Sequence, residues 1–575
     1  MAYVSHLGNH SNKAMINNVS KENSNSFRRY TVRKALSHLI IHSAAVCAYL
    51  MPFSLDAQQL VAEQEAPIFS VQEFVIDGFN PLPKGRSDGI LSAYLDRPLS
   101  IEQLGEAATE LEKELAREGY NFHRAILPPQ KLAGGLVRLK IVSIGIAEVM
   151  VVGNQYFSNA NIARSLPLVS KGKSPNTQQI ASALLLADDN PAKDIRIVFI
   201  KGQEPQTVDA SITVQDKNPN EVFLWANNAG SDLTSRSRFG LQYHNRNLWG
   251  RDHQFAISYA TSPEDTDQLS QYGLNYRLPI FTTRGMASLF YSKSNADTGR
   301  VADVFDISGA GETIGFGYTQ YLDKRSSYQH RVGVDVVDKL FDSDILFQTQ
   351  NIGNDVRSRP ISIEYTSRWD YSNWLFNSII GHSSNLSGGS FNDDQRYSAV
   401  RAGAISDWSK QNLSLRVDYR WNREWSGLVK AFAQVSSDAL IPGEKFGLGG
   451  SLGDSGPRGF LEREASADKG YKVSFEVTRN FPTKKLKLGA FYDYASGDQN
   501  NPQVGEVDQQ TLASVGVKLQ WSARPDLSLN VDYGYVLDGV SQEFSNGNQV
   551  GSDDGDDRWH LSLRYFPTWA FGGDK

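Results

Sequence analysis

Two chemistries overlap in the stretch SLGDSGPRGFLERE, residues 451–464. Gly453-Asp454-Ser455-Gly456-Pro457 is one glycine short of the GDSGGP loop that carries the nucleophile of chymotrypsin-like serine proteases. A serine used in that way needs a histidine to take its proton and an aspartate to orient the histidine. Beyond residue 57 the histidines are His123, His244, His253, His330, His382 and His560, and none stands in the Ala-Ala-His-Cys context that accompanies such a loop. Ser455 therefore reads as part of a solvated, glycine-rich loop. Arg458-Gly459-Phe460 offers a different chemistry, that of a guanidinium able to hold a loop against a carboxylate, and the stretch LKLGAFYDYASGD follows downstream. A guanidinium and a carboxylate join by two parallel hydrogen bonds in one plane, a geometry that lysine does not reproduce. In that second stretch Leu486, Leu488, Ala490 and Tyr492 alternate with Gly489, Phe491 and Asp493. Phe491 and Asp493 thus share the face opposite the apolar one.

Alternating strands surround both stretches. From about residue 217 to the C-terminus the chain repeats sets such as Phe255/Ile257/Tyr259, Ile314/Phe316/Tyr318, Tyr471/Val473/Phe475/Val477 and Trp559/Leu561/Leu563/Tyr565, with polar or small residues between. A soluble sandwich would alternate as well, but here Tyr and Trp repeatedly end the apolar faces, as expected where an apolar band meets lipid headgroups. Roughly 355 residues at about 22 per strand and connection predict a closed antiparallel barrel of about 16 strands. No window beyond the N-terminal region holds the roughly 18 apolar residues of a membrane helix, so any crossing must be made by strands.

A tandem repeat precedes the strands. Residues 68–144 read strand, helix, helix, strand, strand: FSVQEFVIDGF alternates and ends at Gly78, and Leu104, Ala107, Leu111 and Leu115 recur at helical spacing. Ser100 with Gln103 predicts a capping box for that helix and Gly119 its end. The same order returns over 145–216, so two units of roughly 75 residues stand in series. Residues 58–67 are a short linker.

The N-terminal 57 residues carry Arg28, Arg29, Arg33 and Lys34, then the apolar ALSHLIIHSAAVCAYLMPF, then SLDA ending at Ala57. This is the pattern of a signal peptide with an extended basic lead, a membrane anchor being the alternative. The lone Cys47 falls inside it, so the mature chain has no disulfide and no thiolate metal site. These residues hold six basic and two acidic side chains, +4 of the chain's −6, which leaves about −10 for the rest. A chain that acidic lacks the basic surface needed to bind nucleic acid nonspecifically. A GxxxxGK[ST] phosphate loop is absent from the sequence, and no cofactor is expected.

Paired βααββ units followed by a barrel resemble the two-partner secretion transporters, the haemolysin secretion/activation protein family of the POTRA-plus-barrel superfamily. Three stretches carry the likeness. GYNFHRAILPPQKLAGGLVRLKIV (119–142) resembles the close of a first POTRA domain; NNAGSDLTSRSRFGLQYHNRNLWGRDHQFAISYATSPE (227–264) resembles the first barrel hairpin, with its Asn-Leu-Trp-Gly turn before Asp252; and EKFGLGGSLGDSGPRGF (444–460) resembles the sixth extracellular loop with its Arg-Gly-Phe signature. Pro457 departs from the Val or Ile usual before that signature, and the chain continues past Tyr565-Phe566 where such barrels usually end on an aromatic residue. Either Phe566 or Phe571 is then the assembly signal. With so short a linker, no plug helix is expected ahead of the first POTRA domain.

The resemblance implies two periplasmic POTRA domains (68–144 and 145–216) and an outer-membrane barrel (217–575), whose loop at about 440–470 folds inward. Arg458, Gly459 and Phe460 would meet Phe491 and Asp493 in the lumen. It further implies secretion of a large exoprotein, recognised by its N-terminal secretion domain and passed through the pore without nucleotide hydrolysis. Other partners would be outer-membrane lipid and, during biogenesis, the barrel assembly machinery. The exported client is left open among haemolysin, adhesin, haem scavenger and growth-inhibition toxin. On the second POTRA unit, the helix at 176–188 and a strand at 206–215 taken as a sheet edge, with Gln178, Leu185, Val208 and Ile212, are the candidate client contacts, packing against the barrel being the alternative. A factor that inserts other barrels, a passive porin and an outer-membrane enzyme are the competing functions.

Overall fold

A computed structural model of the chain describes residues 67–567, except 133, 232–234, 267–268, 296–298, 302–304, 308–310, 343–345, 348–349, 352–353, 453–455, 504–505 and 544–548. The segment read as a signal peptide, with Cys47, most of the linker, where no plug helix is expected, Ser455 and Phe571 lie outside the described residues. Among the described residues no helix is long and apolar enough to cross a membrane.

Sixteen antiparallel strands close into a barrel. Asn220–Asn227 opens it and Asp557–Tyr565 completes it, the two pairing from Asn227 with Ser562 to Leu224 with Tyr565. Phe566 follows at once, its ring 5.4 Å from that of Phe223. One strand breaks at Arg359, between Val356–Ser358 and Pro360–Tyr371, and both pieces pair with Tyr328–Phe341. Pro360 lacks the N–H that a continuous ladder would use there. Along the strands Ile257, Phe316, Val336, Ile363, Phe475, Val477, Val517 and Leu563 stand exposed on the outside, whereas Gln242, Asn275, Ser288, Glu476, Asp493 and His560 are buried. An outward apolar band around a polar interior is the pattern of a barrel solvated by lipid. Exposed Trp369, Tyr371, Trp374, Trp421 and Trp425 cluster at one end of the strands, and Tyr259, Tyr272, Tyr471 and Trp559 lie towards the other.

Each preceding unit is a three-stranded sheet under two helices. In the first, Glu73–Asp77 lies parallel to Leu136–Ser143, which also pairs with His123–Ile126; the helix Ile101–Arg117 carries the expected capping box and buries Leu104, Leu111 and Leu115. In the second, Gly145–Val152 is parallel to Thr207–Asp216, which also pairs with Lys193–Lys201. The last strand is therefore the middle one in both units. This corrects the edge assigned to residues 206–215. Val208 and Ile212 are buried core of a central strand, and the edge strands are 145–152 and 193–201. The reason is topological: the first strand, which leads into the helices, lies parallel to the second strand of the hairpin that follows them and takes that strand's far side, leaving it in the middle.

Candidate functional site: a loop anchored in the lumen

The loop between strands Trp425–Val435 and Lys469–Phe481 runs over residues 436–468 and descends into the barrel. Arg458 meets Asp493 there in a bidentate pair, Nε donating to Oδ2 at 2.7 Å and Nη2 to Oδ1 at 2.8 Å. The Arg458 backbone N–H adds a bond to Asp493 Oδ2 at 3.1 Å. Ser474 Oγ donates to Asp493 Oδ1 at 2.6 Å and accepts from Arg458 Nη2 at 3.1 Å. Arg458 Nη1 lies 3.0 Å from Glu476 Oε1, and Lys518 Nζ lies 2.5 Å from Glu476 Oε2. The guanidinium carbon stands 3.5 Å from the centroid of the Phe491 ring, a cation–π contact. One face of the arginine is thus taken by an aromatic ring and its edge by carboxylates. Breaking such a pair from one side leaves a buried charge uncompensated, which costs about 3–5 kcal/mol.

The other two signature residues seat the loop. Gly459, at φ +97°, donates its N–H to His560 Nε2 at 2.9 Å. A Cβ on Gly534 of the neighbouring wall would come within 2.6 Å of the Gly459 nitrogen, so Gly534 is required by the close approach of two backbones and Gly459 by its left-handed φ. Phe460 is fully buried with Leu448, Ala465, Ala495, Leu512 and Val536. A cavity of about 250 Å³ remains beside the pair, bounded by Arg458, Lys430, Lys518, Asp532 and His560. The structure thus brings Arg458, Gly459, Phe460, Phe491 and Asp493 together. His560, Glu476 and Ser474 escaped the sequence reading, because no spacing links two separate strands to one loop.

Gln178 and Leu185 lie on the helix Thr177–Ala187, which is not an exposed face. Its N-terminal end meets the first unit, where Thr177 N–H donates to Gly119 O at 2.8 Å and Gln178 packs beside Gly119. At its other end Leu186 is buried with Met286 and Tyr321 of the barrel, and Leu185 packs against them. The residues that follow form a polar dock on the barrel turns. Lys193 Nζ lies 2.6 Å from Asp252 Oδ1, both side chains nearly inaccessible; burial lowers the Lys193 ammonium from its ordinary pKa while Asp252 opposes the shift. Asn190 donates to Arg246 O at 2.7 Å, Asn161 to Gly250 O at 2.9 Å, and Asp189 pairs with Arg277 at 2.8 Å. The receiving turn holds Trp249 and Asp252 at φ +57° and +63°, uncommon values for residues with side chains. Its Asn-Leu-Trp-Gly sequence was legible, but its role as a receptor for the second unit was not.

Comparison with known proteins agrees with this architecture. The model for the haemolysin secretion/activation protein ShlB/FhaC/HecB matches residues 207–520, and that for the ShlB-type POTRA domain matches residues 69–143. The heme/hemopexin transporter protein HuxB of Haemophilus influenzae is 21% identical over 475 residues, spanning 78% of this chain and 80% of that protein. The outer membrane transporter CdiB of Dickeya dadantii is 22% identical over 437 residues, 71% of each. Among solved structures, CdiB from Escherichia coli superposes with a TM-score of 0.66 at 16% identity, covering 89% of this chain and 93% of that one, a likeness of fold. A loop signature seated in a sixteen-stranded lumen and a family model matching more than half of the sequence lead to one conclusion: the chain belongs to the haemolysin secretion/activation protein ShlB/FhaC/HecB family of outer-membrane transporters.

Proposed function

We propose that this protein secretes a large exoprotein across the outer membrane, capturing it on its periplasmic POTRA units and passing it through the barrel without nucleotide hydrolysis. The observation that carries this reading is the Arg458 anchor. A loop held in the lumen by a bidentate ion pair gates the pore, a device that a passive porin does not need. The family's transporters, HuxB and CdiB among the relatives, favour export over insertion of other barrels. The chain acts as a conduit rather than a catalyst, lipid surrounds its apolar band, and the barrel assembly machinery inserts it. Capture suits the edge strands 145–152 and 193–201 beyond their contacts at Ile146, Lys193 and Ile195, where an unfolded client can satisfy its backbone hydrogen bonds by adding a strand.

The test follows as cargo a large exoprotein with an N-terminal secretion domain produced in the same cells. Arg458→Ala and Asp493→Ala should each leave a folded barrel in the membrane and cut export by about tenfold or more, since each strands a buried charge. Normal export by both, with the transporter limiting, removes the anchoring role. Export that survives deletion of the transporter's gene removes the transport reading itself.

A further inference from the structure

Three outer connections converge on one side chain far from the lumen anchor. The loops 386–408, 436–468 and 499–508 all lie at the barrel end opposite the POTRA dock, since POTRA 2 touches the turns around 249–252, 281–284 and 324. Arg401 belongs to the first loop and follows directly on the helix Asp394–Val400, which Asp393 caps. Its Nη1 donates to Asp468 Oδ1 at 2.9 Å and to Leu440 O at 3.0 Å, both in the second loop. Its Nε and Nη2 meet the two carboxylate oxygens of Glu506 at 3.0 and 3.1 Å, and Nη2 also reaches Asn500 O at 3.2 Å, all in the third. The Arg401 side chain is 5% exposed and that of Asp468 is 0%. Burial raises the Glu506 carboxyl, but Arg401 and Lys445 together hold it down to about 2, so it is charged at any pH the cell surface meets.

An apolar seal lies directly beneath. Tyr397, Ala404 and Trp408 of the first loop are fully buried with Leu440 and Ile441 of the second. A second clamp, Glu444 with Lys410 and Lys339 at 2.9 Å each, ties the second loop to the wall. The arrangement differs from the Arg458 anchor in one respect that matters. The partners of Arg458 sit on wall strands, whereas those of Arg401 sit on other loops, so opening the Arg401 contacts parts the three loops from one another without disturbing the barrel, while Glu444 and Arg458 keep the second loop on the wall.

We propose that Arg401 is the outer latch of the pore: it joins three extracellular loops into a single lid, and a client leaves only after the Arg401 contacts with Asp468 and Glu506 part. This rests on the transport reading above. The latch is distinct from the lumen anchor, which holds the loop from within, and the two act in series along the exit path.

The experiment is single-channel recording of the purified full-length protein in planar bilayers, comparing native protein with Arg401→Ala, Asp468→Asn and Glu506→Gln. Lys113→Ala, at an exposed pair on the helix of the first POTRA unit, serves as the control. Arg401→Ala and Asp468→Asn should each raise the open fraction by at least about tenfold, as expected when one partner of a buried pair is removed. Glu506→Gln, a mild change in a partly exposed loop, should raise it less, and it keeps the test decisive if Arg401→Ala does not fold. An open fraction equal to native in every variant that folds overturns the latch while leaving the pore intact. No current from native protein or any variant overturns the pore reading, and the latch falls with it.

Discussion

At the scale of single residues, the lumen anchor depends on how closely two backbones approach as much as on charge. A methyl group at residue 534 would lie 2.6 Å from the nitrogen and 2.8 Å from the Cα of Gly459. Neither atom belongs to a flexible side chain, so the loop rather than the methyl must move. Gly534→Ala is therefore expected to lift the signature off the wall, lengthen the Gly459 bond to His560 and lower export although every charge is retained. Export assays with trypsin accessibility of the loop in whole cells check this; native export with a protected loop would show that the seat tolerates a shift. The Arg458–Asp493 pair was legible because both residues fall on recognisable motifs, whereas Gly534 and His560 carry no signal until strands from distant sequence are laid side by side.

Elements supply the second scale. The second POTRA unit is joined to the barrel through its helix end and the turn Asn247–Asp252, with Lys193 and Asp252 at the centre. Lys193→Met leaves the Asp252 carboxylate buried and unpaired, at a cost of about 3–5 kcal/mol. The expected outcome is loosening of the dock, read as faster release of the POTRA fragment by limited proteolysis of the full-length protein in detergent. Adding Asp252→Asn should restore most of the protection, since asparagine removes the charge and tolerates the left-handed backbone there. Protection unchanged in the single variant would mean that Asn161, Asn190 and Asp189 hold the unit without the ion pair. The sequence reading found the helix and the strands of this unit but put the wrong strand at the edge, because periodicity reports which face is apolar and not which neighbours pair.

The whole molecule is governed by its two solvents. Val517 stands exposed midway along the strand Gln509–Arg524. Val517→Arg would place a charge in hydrocarbon at a cost of about 2–4 kcal/mol near the bilayer midplane. The folded fraction recovered from outer membranes, measured by heat-modifiable mobility on gels, should fall, while an arginine at the lumen-facing neighbour Gly516 would instead clash with Phe491, 2.3 Å from a Cβ there. Equal recovery of Val517→Arg and native protein would argue that this face does not meet lipid.

The order of elements, the count of strands and the inward or outward sense of each residue were determined by the sequence itself, because period-two alternation, aromatic strand ends and turn residues are local properties of the chain. Which strand lies centrally in each POTRA unit, which turn receives the second unit, and the gathering of Arg401, Asp468 and Glu506 into one knot were decided only by the tertiary structure. Pairing and docking join residues far apart in sequence, and the energy of burying an ion pair or sealing a loop exists only once those surfaces meet.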